Sequence, residues 1–429
     1  MFSVNNESVR ELLFKGNFGL ERESLRITSD GFLAKTAHPF GESKNIIRDF
    51  AENQTEINTG INPTPSQALA EIAQYDSVIH KTLKTLDEPE LLWPFSNPPY
   101  IRNENDIPIA QFYGEEQEKT TYREHLSSRY GRYKMTFCGI HFNYSFAEEL
   151  IRADAQAKEV SDFTAYKDAL YLDLAQKCVA YGWIINALTA SSPVFDSSFI
   201  EEGAFDEDVF TGISSVRSSE LGYWNFFTPV LSYESPLSYA KSIQTYVDAH
   251  LIRIPSELYY PVRLKPRGEY QIEKLAQGDI SHIELRCLDL NPLALHGIFE
   301  EDIHFAQLFL IWLASLPKLE LDAVAQVQAV ANFKSASHYD LRLAKVVLPD
   351  ATVSTVEKAS LKILDEMTRF FTDINAEKEV FDCLAFQKEK LTDFRNSYSW
   401  QVRKKYGTNF VKKGLKLAQE NQARILENF

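Results

Sequence analysis

Two glutamates lie one residue apart in the segment FGLERESLRI at residues 18–27, and their spacing suggests chemistry. In a β-strand alternate side chains point to the same side, so Glu21 and Glu23 share one face and Arg22 lies on the other. Neighbouring carboxylates repel each other unless a cation lies between them. Because hard cations such as Mg²⁺ and Mn²⁺ prefer oxygen ligands, the pair indicates a metal site. A solvated, charged strand face is the simpler alternative.

A second group of acids lies in residues 48–59, which we predict to form another strand. Glu52 and Glu56 are four residues apart, so they fall on roughly the same face in either a strand or a helix. Asp49 is out of phase with them and needs a bulge or a strand end to join them. Three acids on an exposed surface remain the alternative interpretation.

Two further segments alternate polar and apolar side chains, as strands that line a site do. The polar positions are His141, Asn143 and Ser145 in GIHFNYS, and His282, Glu284 and Arg286 in HIELRCLD. A carboxylate two residues from a guanidinium forms either a structural ion pair or a metal ligand beside an anion-binding group.

Other cations could bind the phosphates of a nucleotide. The candidates are Arg217, Arg263 and Lys265, although each taken singly could be a surface charge. The sequence has no glycine-rich phosphate loop and no nucleophile elbow. Acids gathered with arginine and lysine but without a phosphate loop indicate metal-assisted phosphoryl transfer.

Ten short motifs, in order between residues 18 and 292, resemble the bacterial glutamate–cysteine ligase family of the proteobacterial type. That family also forms the N-terminal part of bifunctional glutathione synthetases. The motifs are GLERESLR (19–26), DFAE (49–52), WPFSNP (93–98), IAQ (109–111), YRE (122–124), RYG (129–131), GIHFN (139–143), LGY (221–223), ELY (257–259) and IELRCLDLNP (283–292). The set is specific as a whole, whereas no single motif would be.

The resemblance implies an α+β fold whose curved, mainly antiparallel sheet is of the glutamine synthetase and guanidino kinase type, with many packed helices. We expect one catalytic domain over residues 1–429, with a sheet-containing active-site region at 18–292 and a mostly helical part at 300–429. The implied activity is ATP-dependent ligation of the L-glutamate γ-carboxylate to the amino group of L-cysteine through a γ-glutamyl phosphate, the first step of glutathione biosynthesis.

The resemblance also assigns roles to individual residues. The metal ligands, for Mg²⁺ or alternatively Mn²⁺, would be Glu21, Glu23, Asp49, Glu56, His141 and Glu284. The catalytic guanidiniums would be those of Arg217 and Arg286. The substrate-binding residues would be Phe50, Tyr122, Leu126, Met135, Asn143, Tyr223 and Tyr259. The nucleotide-binding residues for ATP, the co-substrate, would be Arg263 and Lys265.

One departure from the family concerns the amine. Met135 stands where the family has a polar glutamine in the acceptor pocket, so a related ligase that joins glutamate to another amine is an alternative. A guanidino-type kinase and an inactive paralogue are further alternatives. Because no ATP-grasp sequence follows the final helix, we expect a monofunctional enzyme unless the chain is a fragment.

The composition excludes some classes of partner. The chain has 429 residues, of which 44% are hydrophobic, and a formal net charge of −15. That charge argues against nucleic acid and anionic membranes as partners. The four scattered cysteines, without a Cys-x-x-Cys pair, indicate a reduced cytoplasmic protein. We see no signal peptide and no apolar stretch long enough to cross a bilayer. The sequence does not specify the oligomeric state, and a monomer is compatible with it.

Periodicity supplies a coarse map of the elements. Helices are predicted at 5–15, 66–85, 118–129, 148–191, 236–250, 301–315, 320–332, 354–374, 377–392 and 409–427. Strands are predicted around residue 21 and at 32–35, 48–59, 133–146, 257–265 and 280–288. An extended loop is expected at 87–112 and irregular structure at 192–235.

Overall fold

The computed structural model describes residues 1–201, 204, 207–222 and 224–427. The strands are β1 Gly16–Thr28, β2 Ile46–Arg48, β3 Gln54–Asn58, β4 Glu90–Leu92, β5 Gly139–Phe146, β6 Phe195–Asp196, β7 Asp208–Val209, β8 Val262–Pro266, β9 Ile280–Asp289, β10 Lys345–Val347 and β11 Val353–Thr355. The helices are α1 Glu7–Leu12, α2 Pro65–Lys84, α3 Gln117–Tyr130, α4 Glu148–Ala157, α5 Phe163–Tyr181, α6 Trp183–Thr189, α7 Pro236–Asp248, α8 Ile272–Ala276, α9 Glu300–Ser315, α10 Ala323–Ser335, α11 Val356–Asp373, α12 Lys378–Thr392, α13 Tyr398–Tyr406 and α14 Phe410–Glu427.

The main sheet of the described chain has seven strands in the order β2-β3-β1-β5-β9-β8, with β4 paired to the end of β1. Every pairing in it is antiparallel. The strands β6 and β7, and likewise β10 and β11, form two small separate sheets. The predicted α+β class with an antiparallel sheet is therefore confirmed.

The register of the strands brings the predicted polar side chains to one face of this sheet, which we call the polar face. Glu21 of β1 lies opposite His141 of β5, and Glu23 lies opposite Glu56 of β3. Further along the sheet, Glu284 of β9 lies between Asn143 of β5 and Arg263 of β8. Because side chains alternate along each strand, these groups all point to the same side.

The opposite face of the sheet is apolar and packs against helices α2, α5, α6 and α9. Leu20, Phe142 and Leu285 of this face are buried. They belong to one hydrophobic core that extends from the first residues of the chain to α14. In that core Trp93 meets Phe410 of α14 edge to face, with ring centroids 5.5 Å apart. The C-terminal helices therefore share their core with the sheet.

Local sequence signals fix where the helices begin. The Thr64 side chain caps α2 by accepting a hydrogen bond from the Gln67 N–H at 3.2 Å, and Pro65 takes the first helical position. Ser235 and Ser238 form a reciprocal capping box at the start of α7. Both arrangements satisfy backbone donors that a helix start leaves without partners.

The predicted strand at 48–59 is confirmed only in its second half, where β3 spans Gln54–Asn58; its first half is wrong, because the chain turns after β2 ends at Arg48. Asp49 and Glu52 lie in the turn between these strands. The Glu52 carboxylate accepts hydrogen bonds from the backbone N–H groups of His38 and Gln111, both at 2.9 Å. Glu52 therefore fastens two loops and does not share a strand face with Glu56.

Other boundaries also differ from the prediction. The strand expected at 133–146 begins only at Gly139, after a short 3₁₀ helix at Tyr133–Thr136. The return strand at 32–35 is reduced to a single bridge between Ile27 and Leu33. Within the expected loop at 87–112 the structure has β4, and α13 was not predicted. None of the helices in the described part of the chain is long and apolar enough to cross a membrane.

A buried ion pair on the apolar face fixes β1 to α2. The Arg22 guanidinium donates to both Asp76 oxygens, at 2.7 and 2.5 Å, and the two side chains are 5% and 1% exposed. Asp76 also pairs with His296 at 2.7 Å. Despite the opposing effect of burial, Arg22 and His296 lower the pKa of Asp76 from 3.8 to about 2.

Replacing Asp76 should destabilise the protein strongly. We expect Asp76→Asn to lower the free energy of unfolding by about 3–5 kcal/mol, because Arg22 then stays buried without its carboxylate. The Asp76 charge stabilises the fold above pH 3.8, and we expect that contribution to be lost as the pH falls toward about 2. Urea unfolding from pH 7 to pH 2 measures both effects. Asp340→Asn, at an exposed pair with Arg342, is the control and should cost less than about 1 kcal/mol.

Candidate active site

One cluster on the polar face joins three predicted metal ligands from three strands. The ligand atoms of Glu21, His141 and Glu284 all lie within 4.8 Å of one another. His141 Nδ1 is 2.8 Å from Glu21 Oε2 and 3.6 Å from Glu284 Oε1. The Asn143 amide donates to Glu21 Oε1 at 3.1 Å. We call Glu21, His141 and Glu284 the first carboxylate group.

Cations from β8 and β9 surround this first group. Arg286 donates to Glu284 Oε1 at 3.0 Å, and Lys265 Nζ is 3.4 Å from the same oxygen and 3.8 Å from Glu21. Arg263 lies 3.5 Å from Glu284 Oε2. Although burial opposes ionisation, Arg286, Lys265 and Arg263 hold the pKa of Glu284 well below its ordinary value. Burial and the charge of Arg286 lower the pKa of His141, against the opposing effect of Glu21 and Glu284.

A second carboxylate group, Glu23, Asp49 and Glu56, lies beside the first, and in it burial and mutual repulsion outweigh the nearby cations. Burial and the charge of Asp49 raise the pKa of Glu23 to about 8. Burial and the charges of Asp49, Glu21 and Glu23 raise the pKa of Glu56 well above its ordinary value. Glu23 accepts a hydrogen bond from the Gly139 N–H at 2.9 Å. Such mutual repulsion is what a bound cation would relieve.

Arg217 lies between the two groups although it comes from a distant loop. Its guanidinium lies against Gly139, where an added Cβ would be 2.4 Å from the guanidinium carbon. It donates to the carbonyl of Arg286 at 2.9 Å and lies 3.5 Å from His141 Nε2. A glycine at position 139 is therefore required for this close approach.

Two buried oxygen atoms add to the case for a cation. Asn143 Oδ1 and Glu284 Oε2 are buried and accept no hydrogen bond from the residues that the structure describes, although Arg263 lies 3.5 Å from Glu284 Oε2. An unsatisfied buried acceptor is costly, and a hard cation is one of the groups that can satisfy it. Together with the carboxylates of the second group, these atoms fit Mg²⁺ or Mn²⁺.

A small pocket opens beside the two arginines. Arg217, Arg286, Cys287, Trp224 and Tyr259 line part of it. Position 287 reaches this pocket because β9 has an irregular register opposite Ile140 and Phe142, so the simple alternation predicted for residues 282–289 ends there. Cys287 is buried in the hydrophobic core and at the same time lines this pocket.

The structure places the predicted substrate-binding residues on several different elements, and of those described only Tyr259 lines the small pocket. The Tyr259 hydroxyl donates to the Met135 sulfur at 3.9 Å. Tyr122 and Leu126 lie on α3, Phe50 is buried in the turn after β2, and Asn143 donates to Glu21 of the first carboxylate group and lines the open cleft. Tyr223 lies outside the described residues.

An open cleft of about 590 Å³ lies at the other end of the polar face. Its walls include Glu21, Glu56, Asn143, Lys265 and Arg267. Lys265 thus faces a space large enough for a nucleotide. Arg263, the other predicted nucleotide-binding residue, is buried instead and donates to the carbonyls of Ser256 and Leu258.

Sequence reasoning missed two cations of the site. Arg123 donates to the backbone carbonyl of Asp49, and its charge faces Asp49 and Glu56. Its position inside the YRE motif was the available signal. Arg267 lines the open cleft two residues after Lys265, and that spacing along a strand end could have pointed to it.

A comparison with known proteins decides the family. A sequence model described as glutamate-cysteine ligase matches residues 1–251 and 228–336. The chain belongs to the glutamate–cysteine ligase family. Curated relatives include the glutathione biosynthesis bifunctional protein GshAB of Listeria welshimeri, 34% identical over 420 residues, which cover 94% of this chain and 53% of the relative. GshAB of Clostridium perfringens is 34% identical over 392 residues, covering 88% and 50%.

Solved structures agree with this family. A bifunctional glutathione synthetase from Pasteurella multocida matches with a TM-score of 0.83 and 26% identity over 98% of this chain and 54% of that chain. A glutamate–cysteine ligase from Francisella tularensis, crystallised with AMP, has a TM-score of 0.87 and 23% identity over 96% and 89%, and shows the same fold. The chain spans about half the length of the bifunctional relatives it matches.

Proposed function

We propose that this chain, acting as one catalytic domain, uses ATP to join the γ-carboxylate of L-glutamate to the amino group of L-cysteine. The observation that carries the proposal is the pair of carboxylate groups on the polar face, with Arg217 and Arg286 between and beside them, in a chain of this family. Among the described residues, Glu21, His141 and Glu284 form the one group of three histidine, cysteine or acidic side chains close enough together to hold a metal ion.

The reaction requires activation of a carboxylate, which is a poor acyl donor. In the first step the γ-carboxylate oxygen of glutamate attacks the γ-phosphorus of ATP and ADP leaves. In the second step the amine attacks the acyl carbon, inorganic phosphate leaves and the amine loses a proton. Arg217 and Arg286 are suited to stabilise the charge on the transferring phosphoryl group and on the leaving phosphate.

The two carboxylate groups supply the ligands for divalent cations. Glu21, His141 and Glu284 would hold one cation, and Glu23, Asp49 and Glu56 would hold another. Bound Mg²⁺ or Mn²⁺ would neutralise phosphate charge during transfer. Lys265 and Arg267 face the open cleft, where they can bind the phosphates of ATP.

The same site could accept a different amine. The Tyr259 hydroxyl, on the wall of the small pocket, donates to the thioether of Met135, which is a weak acceptor. Because residue 135 is methionine, no side-chain amide at this position can hydrogen-bond to the amine substrate and select it. A ligase that joins glutamate to another small amino acid is therefore our second candidate.

The four cysteines fit a reducing compartment such as the cytoplasm. All four are free and buried. Disulfides are rare in that compartment, and burial raises the pKa of the Cys138 thiol. We propose small molecules as the partners of the chain.

ADP release measures the proposed reaction directly. We expect release with Mg²⁺, ATP and L-glutamate to depend on L-cysteine, and mass spectrometry to identify γ-glutamylcysteine. Dependence on another amino acid would favour the second candidate. ADP release without an amide product would indicate a kinase, and absence of turnover with every amine would refute the ligase.

A further inference from the structure

The loop that carries Arg217 is held by a buried carboxylate, Asp289, the last residue of β9. Asp289 is 3% exposed. Its Oδ1 accepts a hydrogen bond from the Ser215 hydroxyl at 2.8 Å. Its Oδ2 accepts from the Ser191 N–H at 2.9 Å and from the Ser192 hydroxyl at 2.8 Å. Three donors from two separate loops therefore converge on one side chain.

The same serines hold the backbone on both sides of Arg217. The Val216 N–H donates to the Ser192 hydroxyl oxygen at 3.2 Å. The Ser218 N–H donates to the Ser215 hydroxyl oxygen, also at 3.2 Å. The backbone N–H groups before and after Arg217 therefore each donate to a serine hydroxyl that itself donates to Asp289.

The WPFSNP motif supports this arrangement from behind. The Asn97 amide donates to the carbonyls of Ser192 and Val194 at 2.9 and 2.8 Å. The Ser96 hydroxyl oxygen accepts from the Leu290 N–H at 2.7 Å, next to Asp289. The motif thereby fixes both the serine loop and the end of β9, which gives it a physical role that the reaction chemistry alone does not explain.

We infer that Asp289 is a positioning residue for the ligase reaction, which fixes Arg217 against Gly139 between the two carboxylate groups. This inference rests on the proposed function. Because Asp289 lies one hydrogen-bond layer behind Arg217, it acts on the reaction through that arginine. A misplacement of about 1 Å in a group that stabilises charge can cost a factor on the order of 10² in rate. Asparagine keeps the shape of Asp289 but replaces one accepting oxygen with a donor, so it cannot accept all three hydrogen bonds.

A double-mutant cycle tests the inference. We expect Asp289→Asn to lower kcat by about tenfold to a hundredfold and to leave the KM for ATP within about a factor of two, because Arg217 is not on the nucleotide cleft. In an Arg217→Ala background the same substitution should change kcat by less than about a factor of two. Ser215→Ala, which removes one of the three donors, should show the same dependence on Arg217 with a smaller loss and covers the case that Asp289→Asn does not fold. Mass spectrometry of the product measures the turnover that remains in each variant.

The matched control is Asp154→Asn. Asp154, on α4, is also buried and also accepts hydrogen bonds from three donors, which belong to Ser3, Lys158 and Tyr166. None of these donors belongs to the loops that hold Arg217. The Asp154→Asn variant should have a lower melting temperature than the wild type but the same kcat. Equal losses from Asp289→Asn in both backgrounds, or kcat unchanged in Asp289→Asn and Ser215→Ala, would overturn the inference. If the wild-type chain shows no turnover with any amine, the proposed function is overturned instead.

Discussion

Glu23→Gln should abolish ligase turnover while the protein remains folded. Glu23 lies in the second carboxylate group, opposite Glu56, where burial and the charge of Asp49 raise its pKa to about 8. Glutamine has the same shape but no charge, so its amide oxygen holds a divalent cation much more weakly than the carboxylate does. We expect kcat to fall by a factor on the order of 10²–10³, the size of effect seen when charge stabilisation at a reacting centre is removed.

The stability of Glu23→Gln separates a functional carboxylate from a structural one. The pKa of Glu23 is raised from 4.5 to about 8 on folding, so the carboxylate costs stability increasingly as the pH rises between these values. In EDTA, Glu23→Gln should therefore melt at or above the temperature of the wild type at pH 8. Mg²⁺ should raise the melting temperature of the wild type more than that of the variant.

Glu90→Gln provides the contrast. Glu90 is a buried carboxylate next to β1 that accepts hydrogen bonds from Arg26 and Thr36 and takes no part in the polar face. Its replacement should lower the melting temperature and leave kcat unchanged. A Glu23→Gln variant that unfolds like Glu90→Gln, or that turns over at the rate of the wild type, would contradict the assignment of Glu23.

The polar face could be predicted from sequence because strand alternation is a local rule. Glu21 with Glu23, His141 with Asn143, and Glu284 are all in phase in the structure as predicted. The family resemblance added Asp49 and Glu56, which periodicity alone had not joined to the others. Which strands are neighbours, however, was not readable from any one segment.

The parts that failed depend on contacts between distant segments or on breaks in regular structure. Asp49 comes near Glu23 because the predicted strand at 48–59 turns at that point, and no turn signal such as Asn-Gly marks the change. The irregular register of β9 brings Cys287 to the small pocket, although the sequence of β9 still alternates polar and apolar residues there. The role of Asp289 could not be predicted, because it depends on hydrogen bonds from three serines that lie in other loops.

Arg286→Ala should be the second most damaging substitution. Arg286 donates to Glu284 at 3.0 Å, and its Nη1 lies 3.4 Å from His141 Nδ1. It therefore contacts two residues of the first carboxylate group while lining the small pocket. Its removal takes positive charge from the place where the phosphoryl group would transfer. We expect kcat/KM for glutamate to fall by a factor on the order of 10³, as for arginines that stabilise phosphoryl transfer.

The comparison of Arg286→Lys with Arg286→Ala distinguishes charge from shape. Lysine restores a cation but not the planar donor fork, so it should recover part of kcat/KM without reaching the wild-type value. Arg342→Ala is the matched control, because Arg342 also pairs with an acid two residues away, Asp340, but is exposed and remote from the polar face. It should leave kcat/KM unchanged. Wild-type kinetics for Arg286→Ala would remove this guanidinium from the reaction, and full recovery by lysine would show that charge alone is required there.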